Sequence, residues 1–124
     1  MKVIPTDRYR ATLKRLRTDN ERKRVRMLVD HYTKRTRLTG IDKESGGKLA
    51  GKGVRHFHLA EPDTLLVYQI TKGALILLAI GTHVEFFGDN ETSFIESIQD
   101  YLAEDLRYAK IIVECRLMRP PTIH

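Results

Sequence analysis

The run Ala74 to Ile80, ALILLAI, is apolar at every position and is bracketed by Lys72-Gly73 and Gly81-Thr82. Its length between turn residues suits a strand. With no polar alternate positions, it reads as a central strand covered on both faces. Thr71-Lys72-Gly73 before it is a tight hairpin connection, so Leu65–Ile70 is its antiparallel neighbour. Val54–Leu59 forms a further strand beyond the turn Glu61-Pro62-Asp63, and Lys2-Val3-Ile4 an edge strand.

Helices come from the other periodicity. Tyr9, Leu13 and Leu16 make one stripe over Arg8–Arg17, with Thr6 or Asp7 as N-cap. After the turn Thr18-Asp19-Asn20, Val25, Leu28, Val29 and Tyr32 make a second stripe over Glu21 to about Thr36. Two such helices joined by a short turn form a helical hairpin. Near the C-terminus, Phe94, Ile95, Ile98, Tyr101, Leu102 and Leu106 mark a helix over about 92–108, and KIIVECRL (110–117) a last strand. The expected fold is α+β. A basic N-terminal helical hairpin packs on an antiparallel sheet of four or five strands, with an extra C-terminal helix and strand. At 124 residues the chain is expected to be a single domain, able to bury roughly two-thirds of its unfolded surface.

Charge separates the two halves. Residues 1–55 hold 17 Lys and Arg against 6 Asp and Glu, whereas residues 56–124 hold 5 against 10. The first half therefore suits an anionic partner. No apolar run approaches the ~18 residues of a membrane span, and the N-terminus turns charged too early for a secretory signal. One cysteine, Cys115, excludes an internal disulfide and a zinc finger, and fits a reducing cytoplasm. A cytoplasmic protein with no membrane partner is expected.

Residues 39–53 carry five glycines and the lysines Lys43, Lys48 and Lys52. This is a cationic loop on which a phosphate backbone can lie, without a GxGxxG or phosphate-loop pattern. It leads directly into His56 and His58, which share one face of a strand, while His83 follows the central strand. Three chemistries fit three histidines: proton transfer, metal binding with Asp63 as carboxylate, or none, with the rings simply exposed on a sheet. RNA can be cut without metal if a base takes the 2′-hydroxyl proton and an acid protonates the leaving 5′-oxygen, with cations offsetting the phosphorane charge. Arg55, Lys52 and Lys48 are placed to supply that charge. Asp63 suits a turn, the orienting of a histidine, or a ribose contact. One of Phe86 and Phe87 could stack on a base while the other joins the core.

The strand, the basic hairpin, Glu61-Pro62-Asp63, Leu65-Leu66-Val67-Tyr68, and Gly81-Thr82-His83 through Phe87-Gly88 resemble the RelE/ParE toxin superfamily. Within it they are most similar to the YafQ type, and the HxHL…LVY portion is also similar to the YafO type. The likeness covers roughly residues 1–88. It implies a type II toxin that cuts mRNA on the ribosome without metal or small-molecule cofactor and is neutralised by a cognate antitoxin. Carried over by position, His83 resembles the C-terminal catalytic histidine, Asp63 the acid after proline and Phe87 the aromatic near the site. The upstream histidine matches His58 if one residue is inserted before Glu61, with His56 a competing match. The expected site is therefore His83, His58, His56 and Asp63 for catalysis, and Arg55, Lys52, Lys48 and Phe87 for RNA. Thr64 stands where the family often has Trp, the glycine loop lacks the family's upstream histidine, and residues 89–124 extend past the family's usual end. A ParE-like inhibitor of DNA gyrase and a non-enzymatic basic nucleic-acid-binding module are the alternative functions.

Overall fold

The computed structural model describes residues 1–61 and 63–102. In chain order the elements are β1 (Lys2–Pro5), α1 (Asp7–Thr12), α2 (Asp19–Lys34), β2 (Asp42–Glu44), β3 (Val54–Ala60), β4 (Thr64–Thr71), β5 (Ala74–Gly81), α3 (His83–Phe87) and α4 (Glu91–Ile98). The five strands form one sheet in the order β1-β5-β4-β3-β2. The α+β class and the helical hairpin are as the sequence implies. One detail differs: β1 runs parallel to β5, with Lys2 beside Ala74, so the sheet is mixed. Thr6 sets this direction. Its N–H donates to Leu77 O at 3.1 Å, and its buried hydroxyl lies 2.9 Å from Leu77 O and 3.0 Å from Leu78 O. The same oxygen caps α1 by accepting from Tyr9 N.

The helices depart from their expected bounds. α1 gives way to a 3-10 turn at Leu13–Arg15, and α2 begins at Asp19, two residues before the expected Glu21, because Thr18 and Glu21 form a capping box. The glycine loop holds more structure than its composition implies: β2 and a 3-10 turn at Gly47–Leu49. The C-terminal helix ends as α-helix at Ile98 and runs into a 3-10 turn at Gln99–Tyr101. Its expected continuation, the strand at 110–117 and Cys115 lie outside the described residues.

β5 is buried at all eight positions, as its composition requires. Two cores flank it. On one face, Tyr9, Val25 and Leu28 of the hairpin meet Phe57, Leu66, Tyr68, Leu75 and Leu77. On the other, Val54, Leu65, Val67, Ile76 and Leu78 meet Leu49, Phe86, Phe94 and Ile98. The molecule is thus three layers: the α1–α2 hairpin, the sheet, and α3 with α4 and the glycine loop. Among the described residues no helix is long and apolar enough to cross a membrane.

Candidate active site

Strand alternation puts His56 and His58 on the sheet face covered by α3 and α4, the face opposite the basic hairpin. A β-bulge interrupts the β3–β4 register between His58 and Ala60, and so re-aims the chain beside His58. His83 arrives from the other end of the site. Thr82 and Glu85 form a second capping box, which starts α3 with His83 as its first residue. Asp63 Oδ2 accepts the His83 backbone N–H at 3.2 Å, so the turn after β3 fixes where α3 begins.

These constraints bring the three rings together. Ring centroids lie 5.1 Å apart for His56 and His83, 6.0 Å for His56 and His58, and 5.9 Å for His58 and His83. Phe87 closes the group at 5.1 Å from His56 and 5.5 Å from His83. Of the aromatic pair, Phe86 is buried in the core against Phe94, leaving Phe87 to line the site. A cavity of about 280 Å³ opens here between His56, His83, Phe87, Ser45, Gly47 and Glu91. A larger one, about 550 Å³, contains Arg15, Glu21 and Glu85 but none of the histidines. Three of its charges are engaged within the fold: Arg15 pairs with Glu85, and Glu21 accepts from the backbone N–H groups of Arg17 and Thr18.

The rings differ in environment. His56 is buried, whereas His58 and His83 are part-exposed. Burial, reinforced by His83 and His58, lowers the His56 pKa to about 4, so it is neutral near pH 7. Its Nδ1 lies 3.2 Å from the hydroxyl of Ser45, itself buried. That contact leaves Nε2 as the nitrogen available for chemistry. One nitrogen from each ring lies within 4.8 Å of the others, a set of three imidazoles that could also hold a metal. Asp63 does not join that set.

Arg55 does not meet the histidines. Adjacent to His56 on the strand, it faces the hairpin side. There its Nε donates to Asp42 at 3.1 Å, and Tyr68 donates to the same carboxylate at 2.7 Å. Burial opposes the Arg55 charge, but Asp42 and Tyr68 overcome it and raise its pKa. Tyr32 extends the network to α2 through the Tyr68 hydroxyl at 3.0 Å. Lys48 sits on the rim of the site, its ammonium 2.7 Å from Thr92 Oγ1 and its N–H 3.2 Å from Glu91 Oε1. Lys52 lies at the foot of β3, where its carbonyl accepts from Gln69. Ser45 and Glu91 escaped the sequence reading. Ser45 carries no signal within a glycine-rich loop, and Glu91 reads only as the acidic first turn of a helix.

No protein-family model matches the chain, and no curated protein is significantly similar to it in sequence. Solved structures do match. A metal-bound toxin from Helicobacter pylori is 30% identical, with a TM-score of 0.55, over 70% of this chain and 99% of that one. A copper-bound mutant toxin from the same organism is 25% identical, with a TM-score of 0.58, over 70% and 99%. The toxin of the Escherichia coli DinJ–YafQ toxin–antitoxin complex is 27% identical, with a TM-score of 0.55, over 70% and 97%.

Proposed function

We propose that this chain, which belongs to the RelE/ParE toxin superfamily beside the YafQ-type toxins, is the toxin of a type II toxin–antitoxin system and cuts mRNA on the ribosome. The observation that carries the reading is the group of three imidazoles of unlike environment against one aromatic ring. Cleavage at the 2′-hydroxyl needs a neutral base and a separate acid. His56, neutral near pH 7, can accept the 2′-hydroxyl proton through Nε2; burial weakens it as a base, and the negative phosphate bound beside it offsets this by stabilising the imidazolium that forms. His83, part-exposed at the start of α3, is suited to protonate the departing 5′-oxygen, with His58 beside both. The attacking 2′-oxygen bonds to phosphorus as the P–O5′ bond breaks. The proton taken by one histidine is balanced by the proton given by the other. Phe87 can stack on the base flanking the cut. Lys48 and Lys52, the cations of the glycine loop, are suited to contact the RNA backbone. Arg55 acts instead as a strut beneath the strand.

Support for a protein partner comes from the E. coli toxin, which was solved with its antitoxin. We extend such a partner, and a cytoplasmic setting, to this chain.

The test is induced expression of wild type beside His83→Ala, read by growth and by mapping mRNA ends. Wild type should arrest growth with cut mRNA. His83→Ala should lower cleavage by about 100-fold or more, the usual contribution of a positioned acid or base. Equal arrest and equal cleavage by the variant would overturn the assignment. Arrest with a DNA-damage response and intact mRNA would transfer the chain to gyrase inhibition.

A further inference from the structure

The matched toxins are covered almost whole, yet 30% of this chain lies outside the match, about the length of the segment after Gly88. The described part of that segment is α4 and the turn after it, and it is firmly seated. Phe94 and Ile98 are fully buried in the core beneath the sheet, and Phe94 packs on Phe86 at 4.7 Å. From the hairpin layer, the Arg8 guanidinium lies 5.2 Å over the Phe94 ring and donates to Ser97 at 3.0 Å. The first turn of α4 is thereby held beside the glycine loop. Glu91 Oε1 accepts the Lys48 N–H at 3.2 Å, and Thr92 accepts the Lys48 ammonium at 2.7 Å. Glu91 also lines the cavity shared by His56, His83 and Phe87.

We infer that α4 completes the active site, with Glu91 as a positioning residue that pins the 3-10 turn Gly47–Leu49 and, through it, holds Ser45 against His56. The chain of contacts is continuous. Glu91 and Thr92 grip Lys48. The turn bearing Lys48 follows Ser45 by two residues and is anchored in the core by Leu49. Ser45 is tied to β3 through its N–H to Val54 O at 2.8 Å, and its hydroxyl meets His56 Nδ1. Composition alone makes this loop mobile. Gly47 adopts a positive φ of 60° and Gly51 one of 76°, and flanking glycines give the turn many alternatives when unheld. An imidazole whose Nδ1 contact wanders loses its fixed aim, and catalysis is sensitive to such misplacement. The contacts from α4 thus supply rigidity that the glycine loop lacks by itself.

This inference rests on His56 being the base, so its test includes readouts that need no cleavage. In the full chain, Glu91→Ala should speed amide exchange at Lys48 by about tenfold and shift the ¹⁵N resonance of His56 Nδ1 as its contact with Ser45 loosens. It should also lower kcat about tenfold with KM within about twofold. Glu91→Gln keeps an oxygen to accept the Lys48 N–H and should stay within about twofold of wild type in all of these. Unchanged Lys48 exchange and His56 resonance in Glu91→Ala would overturn the proposal. So would Glu91→Gln falling as far as Glu91→Ala, since charge rather than the hydrogen bond would then matter. If Lys48 and His56 respond as expected but even wild type cuts no RNA, the positioning role stands and the nuclease reading fails.

Discussion

His56 shows how one residue's surroundings decide its chemistry. Unfolded, it protonates near pH 6.5; folded, only near pH 4, because burial and two neighbouring histidines oppose its charge. Between these values the unfolded chain binds the extra proton, so stability falls as acid is added. The contribution of His56 is whole above about pH 6.5 and gone by about pH 4. Urea titrations across this range should therefore show a falling midpoint that His56→Gln flattens; an unchanged slope in the variant would place the titration elsewhere. Alternation along β3 was enough to pair His56 with His58. The same rule sends Arg55 to the opposite face, so its counting among RNA-binding residues overlooked a consequence already legible in RHFH. Its partners there, Asp42 and Tyr68, come from β2 and β4, and no local pattern pointed to them.

At the scale of elements, capping boxes do much of the placing. Thr18 with Glu21 starts α2, and Thr82 with Glu85 starts α3, where His83 follows at once. Both were visible as Thr-x-x-Glu in the sequence. What α4 does was not visible. Its apolar stripe announced a helix with a buried face, and Phe94 and Ile98 are buried accordingly, but nothing local says that this face closes over the sheet beside the histidines. Phe94→Ala removes a fully buried ring and should cost about 3–5 kcal/mol of stability, measured as a drop in urea midpoint. If α4 merely rested on an already complete domain, the loss would be far smaller.

Across the whole molecule, the sheet separates two kinds of side chain. The hairpin layer carries most of the positive charge of residues 1–55, and the opposite layer carries the imidazoles. Because the three rings could also hold a metal, an ion and the proton transfers would compete for the same nitrogens. A chelator should leave cleavage unchanged, and added copper or zinc should suppress it; cleavage lost to chelator and restored by zinc would make the chemistry metal-dependent. By itself the sequence determined most of the elements and their faces: the fully apolar β5 demanded cover on both sides, alternation paired His56 with His58, and apolar stripes marked the two helices of the hairpin. These are consequences of backbone geometry within a few residues. Only the tertiary structure decided that His83 meets His56 across the sheet end, that β1 runs parallel beside β5, and that Glu91 and Ser45 belong to the site. Those contacts join residues far apart in the chain, and their geometry depends on how the two cores pack, which no local periodicity encodes.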